Sequence, residues 1–148
     1  MSENNENIWE FQAKLSGRLF MINMLNMSLG ERLIRRKGFW RAFGIQALVW
    51  GIINIGIAVL GRIMSNKRMD KLENPLDDAV MKKETRNLRM ILWFNAGLDV
   101  LYMLIGLRFI RKSNGKPKKQ GTGFGIMLQG LLLFVFDLVH ARELSSEA

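Results

Sequence analysis

"WFNAGLDVLYMLIGLRFI", residues 93–110, decides how the whole chain is read. As a helix of 1.5 Å per residue it spans about 27 Å, close to the roughly 30 Å of a bilayer's hydrocarbon core. Its two formal charges are Asp99, in the middle, and Arg108, near the end. Two further stretches share this character. Phe43 to Gly61 carries no charge, and Gly123 to Ala141 carries Asp137 as its only acid. A helix on the surface of a soluble bundle needs a polar stripe at helical spacing. Residues 43–61 offer only Gln46 and Asn54, so the reading is three membrane spans. The overall averages (49% hydrophobic residues, mean hydropathy +0.05) conceal this because the charges are segregated into flanks and loops. The expected fold class is all-α, a transmembrane helical bundle of three spans plus an N-terminal amphipathic helix, four helices in all.

Working outward, residues 1–6 read as a disordered N-terminus and 7–141 as a single helical membrane domain. "MSENNENIWEF" lacks the basic region and apolar core of a removable signal peptide. From Ile8 to Leu29 apolar residues recur every three or four positions, while Arg18, Asn23 and Asn26 make the segment a poor span. It is expected to lie at the membrane interface or to dock on the bundle. "SLGE" at 28–31 has capping-box spacing and predicts a new helix start there. "ENPLDD" predicts a helix capped by Asn74 with Pro75 in its first position, running unbroken into the second span. The basic, Gly- and Pro-bearing "RKSNGKPKKQGTG" (111–123) reads as a tight turn with a flexible entry to the last span. The expected helices are therefore about 7–29, 29–63, 75–111 and 122–142, followed by a polar tail at 143–148.

Polar residues inside the apolar stretches are the candidates for function. Gln46 and Asn54 share one helix face, Asn95, Asp99 and Tyr102 another, and Gln129, Asp137 and His140 a third. With the spans antiparallel in chain order, Asn54, Asn95, Asp99 and Asp137 fall into one or two layers. A carboxylate at bilayer depth costs about 2.5–3.5 kcal/mol even on lenient insertion scales, so each Asp needs a protein or water partner. Two readings of this polar cluster follow. In one, it holds together helices that have no hydrophobic drive to associate in lipid. In the other, Asp99 and Asp137 form a proton or solute site.

Other chemistries are constrained. The chain has no cysteine, so disulfides, thiolate metal sites and cysteine nucleophiles are excluded. A single histidine, His140, rules out a bis-His site within one chain. No metal or cofactor is expected. "GTGFG" lacks the preceding strand and the Lys-Ser/Thr of a phosphate loop, and its glycines suit close helix contact instead. Asp99 and Asp137 come with no nucleophile or oxyanion feature, which argues against catalysis. The net charge of +9 sits in span flanks, where it favours anionic lipid headgroups rather than nucleic acid. With three spans, thirteen Lys and Arg lie on the N-terminal side of the membrane against nine on the other, a narrow preference for a cytoplasmic N-terminus.

"GIQALVWGIINIGIA", "NAGLDVLYMLIG" and "GTGFGIMLQGLLLFVFDLVHA" resemble a family of small uncharacterised bacterial integral membrane proteins, a domain-of-unknown-function family. The resemblance runs from about Arg35 to Ala141. Its most specific piece is Asn95-x3-Asp99-x2-Tyr102-x3-Gly106, followed by Gln129-Gly130 and Asp137-x2-His140. It implies a multi-pass protein of the bacterial inner membrane and no particular activity. The expected function is that of a non-enzymatic binding or accessory protein, possible as a homo-oligomer. A proton-linked carrier or channel component using Asp99 and Asp137 is the alternative, and a membrane enzyme acting on lipid a second.

Overall fold

A computed structural model describes residues 7–146, and the expected disorder of residues 1–6 lies outside them. Four helices make up the described residues: α1 (Ile8–Leu33), α2 (Gly38–Asp70), α3 (Asp78–Arg111) and α4 (Pro117–Ser146). The last three are long and apolar enough to cross a membrane.

Several helix ends differ from the sequence reading, each for a local reason. Ser28 does not cap a new helix, because its Oγ donates to the Met24 carbonyl at 3.0 Å. A hydroxyl satisfied one turn back no longer competes for the helix start, and α1 runs on to Leu33. The chain reverses at 34–37, where Gly38 adopts φ +59°. α2 continues past 63 to Asp70. Asn74 and Pro75 belong to a turn, in which the Asp77 amide donates to the Asn74 carbonyl at 3.2 Å. Asp77 itself caps α3, accepting from the Ala79 amide at 3.1 Å, and Asp78 follows in the first turn, where the helix dipole favours an acid. α4 starts at Pro117 rather than 122, so "GTGFG" is helical and not a flexible entry. The supposed polar tail is helical to Ser146, and Leu144 is fully buried.

The packing order also differs from chain order. α1 lies antiparallel along α2: Gly30 meets the Gly44 carbonyl, Asn23 and Met27 cover Gly51, and Ser16 faces Gly61. α4 then sits between α2 and α3. Its Gly121 and Gly125, one turn apart, admit the backbone at Phe39 and the side chain of Gln46 on α2. Gly123 and Gly130 admit Gly106 and the Asp99 carbonyl on α3. Small residues bring helix backbones close where lipid supplies no hydrophobic drive. Gly56 makes no such contact; nothing lies within 4 Å of where its Cβ would be.

The fold therefore has two ends. The start of α1, the α2–α3 turn and the end of α4 form one, and the α1–α2 and α3–α4 turns form the other. The first end has an ordinary core of large side chains, with Ile8, Trp9, Phe11, Leu92, Ala141 and Leu144 buried together. Trp9 Nε1 anchors it by donating to the Pro75 carbonyl at 2.9 Å. The middle of the bundle is the reverse of a soluble protein. Buried positions there are Gly44, Ala47, Gly51, Asn54, Ala58, Ala96 and Asp99, while Ile45, Ile52, Ile57, Leu60, Phe94, Leu101, Leu104 and Val135 face outward. An apolar belt this continuous exceeds what a soluble monomer exposes and fits a protein surrounded by lipid.

Candidate functional site

The buried polar residues form a series of separate stations along the bundle, not one cluster. One joins α1 to α4. Asn26 Nδ2 donates to Gln129 Oε1 at 2.8 Å, and Gln129 Nε2 donates back to Asn26 Oδ1 at 3.1 Å. Asn26 Nδ2 also reaches the Ala47 carbonyl of α2 at 3.2 Å, so this one amide ties three helices. One turn along α1, Asn23 accepts from Asn54 Nδ2 at 3.1 Å and donates to the Leu19 carbonyl at 2.8 Å. Between these two amide pairs is a cavity of about 20 Å³, lined by Asn23, Asn26, Asn54 and Gln129 with Leu19, Ile22, Leu132, Leu133 and Phe136. That is room for about one water with polar partners in reach.

The second station is the pair of acids. Asp99 of α3 is 3% exposed and Asp137 of α4 is 8% exposed, and the two carboxyl groups are neighbours. Side chains lean toward the start of their own helix. Because α3 and α4 run in opposite directions, Asp99 and Asp137 lean toward one another. Asp99 Oδ2 is left buried with no hydrogen-bond partner among the described residues.

The third station lies nearer the first end. Arg18 Nη1 donates to His140 Nε2 at 3.0 Å, and His140 Nδ1 contacts the Phe136 carbonyl at 2.6 Å. An arginine can only donate and a carbonyl only accept, so these contacts suit the imidazole tautomer that carries its proton on Nδ1. Glu143 lies 3.6 Å from Arg18, and the rings of Phe11 and Phe136 pack against the imidazole. Beyond it, Arg68 bridges Gln12 at 3.2 Å and Glu84 at 3.3 Å.

Not every expected residue joins these stations. Asn54, Gln129 and His140 are buried and hydrogen-bonded, and Asp99 and Asp137 are buried beside each other. Asn95 is half-buried. Gln46 is half-buried with its stem against Gly125, and Tyr102 packs its ring on Trp50 at 4.8 Å. The sequence reading missed Asn23, Asn26 and Arg18 as partners. Their signal is present, since 18, 22–23 and 26 lie on successive turns of one face, but it looks like the polar side of an interfacial helix until α2 and α4 are placed beside it. Among the described residues, no three His, Cys, Asp or Glu come together as a metal site.

This arrangement defines a class: an all-helical bundle with three helices of membrane-crossing length, apolar outside and polar inside. The chain belongs to a family of unknown function, DUF6992, whose sequence model matches residues 18–138. No curated protein and no solved structure matches it.

Proposed function

We propose that this is a small integral membrane protein, non-enzymatic, serving as a binding or accessory component, whose intramembrane polar residues hold four helices together. The observation that carries the reading is where the buried amides spend their hydrogen bonds. Asn26, Asn23, Asn54 and Gln129 satisfy one another from helix to helix and do not converge on a ligand-sized space. The interior cavity beside them has room for one water, whereas the larger hollows, about 390 and 550 Å³, are grooves open on the outside of α1. α1 shares the depth of α2 from Ser16 beside Gly61 to Gly30 beside Gly44 and exposes Met21, Leu25 and Leu29. It therefore travels through the membrane with the bundle, and Arg18 is tolerated because it bonds inward to His140.

The Asp99–Asp137 pair supports a second reading, a proton-linked carrier or channel component. The unpartnered Oδ2 of Asp99 is the specific feature in its favour, since a structural carboxyl normally has both oxygens satisfied. Asp99→Asn separates the two. An amide keeps the size and a hydrogen bond but releases no proton. Equal detergent stability with no proton flux into liposomes from either form supports the structural role. Flux in the wild type that Asp99→Asn lacks, at equal stability, overturns it.

A further inference from the structure

The structure divides the charges of the chain unequally between the two ends of the bundle. Eleven Lys and Arg fall at each end, so their number alone prefers neither. The tie arises because α1 runs lengthwise along α2 and carries Lys14 and Arg18 away from the turns. The acids break it. At the end formed by the α1–α2 and α3–α4 turns, five cations between Arg32 and Arg41 and six between Arg108 and Lys119 are accompanied by one acid, Glu31. That acid is already bound to Arg35 at 3.3 Å. At the opposite end, seven acids among the described residues accompany the eleven cations, and Arg68 is paired with Glu84.

The eleven cations of the turn end are all exposed. The two turns touch, Pro117 lying 3.6 Å from where a side chain on Gly38 would begin, so the cations share one surface. Trp40 is exposed beside them, at the level where indoles favour headgroups. Removing charges on exposed residues here has no core to disturb.

We infer that the turn end is an anionic-phospholipid surface, binding headgroup phosphates of one leaflet, and that the opposite end is not. The inference rests on the membrane reading above and adds the partner and the face it occupies. The occupant is lipid because the cations ring the outer edge of an apolar belt that lipid tails must cover. A band of cations immediately beyond that belt meets headgroups before it meets anything dissolved.

The test uses the full chain in nanodiscs of mixed phosphatidylglycerol and phosphatidylcholine, with retained lipid read by native mass spectrometry. One variant neutralises the turn end (Lys112→Gln, Lys116→Gln, Lys118→Gln, Lys119→Gln). The other neutralises four exposed lysines of the opposite end (Lys67→Gln, Lys71→Gln, Lys82→Gln, Lys83→Gln). The wild type should retain phosphatidylglycerol preferentially. The turn-end variant should lose that preference by about fivefold or more, while the other keeps it. Equal losses, or a preference that survives turn-end neutralisation, overturn the inference. So does tight binding of a DNA oligonucleotide at physiological salt without any lipid preference, which marks the surface as a site for soluble polyanions. A chain that never enters nanodiscs and stays monodisperse without detergent defeats the membrane reading itself, a result distinct from these.

Discussion

Replacing Asn26 with leucine tests whether the buried amides hold the bundle together. Gln129 is 2% exposed, and both polar atoms of its amide are bonded to Asn26. Asn26→Leu therefore strands a whole amide in the interior, which costs about 1–3 kcal/mol. Gln129→Leu should be milder, because Asn26 Nδ2 keeps its bond to the Ala47 carbonyl. The double variant leaves two apolar side chains of similar size and no stranded group, so it should recover much of the loss. Hydrogen bonds between membrane helices average about 0.6 kcal/mol and reach about 1.7, so two of them predict a coupling of about 1–3 kcal/mol. Unfolding in mixed micelles by titration with dodecyl sulfate measures all four forms. A Gln129→Leu variant at least as damaged as Asn26→Leu would show that the amides do not hold the bundle in this way. So would a double variant that loses the full sum of the singles.

The glycine contacts predict that Gly123→Ala destabilises by about 1–3 kcal/mol, because its Cβ would sit 2.8 Å from the Gly106 carbonyl, the Ile110 amide and Ile110 Cγ1, so that backbone as well as side chain must give way. Gly56→Ala, with open space around it, should be neutral or stabilising by up to about 1 kcal/mol in the same dodecyl sulfate titration. The lengthwise docking of α1 predicts that Ser16→Cys with Gly61→Cys, in a chain that has no other cysteine, forms an intramolecular disulfide on oxidation in membranes; free thiols under those conditions would place α1 elsewhere. Extraction should require detergent, and monodisperse protein in a washed detergent-free fraction would contradict the membrane reading.

Three long helices and their apolar character were legible in the sequence, because a span needs an unbroken run of apolar residues and no other fold places Phe43–Gly61 so cheaply. The buried polar positions were partly legible for the same reason. Asn54, Asp99, Gln129 and Asp137 stand out against apolar neighbours, and polar atoms at that depth must turn inward. Their partners were not legible. Which side chain meets Asn54 depends on the order of helices around the bundle, and that order is set by glycines on two faces of α4: Gly121 and Gly125 accept α2, while Gly123 and Gly130 accept α3. α1, packed along α2, brings Asn23 to Asn54, and its Asn26 reaches Gln129 of α4. The same was true of α1. Its sequence fits an interfacial helix or a docked one, since each buries one face, and only packing against α2 and α4 shows which surface its polar side chains meet. Periodicity along a chain fixes what each helix must hide; the tertiary structure decides what it is hidden against, because that depends on backbone approach between segments far apart in sequence.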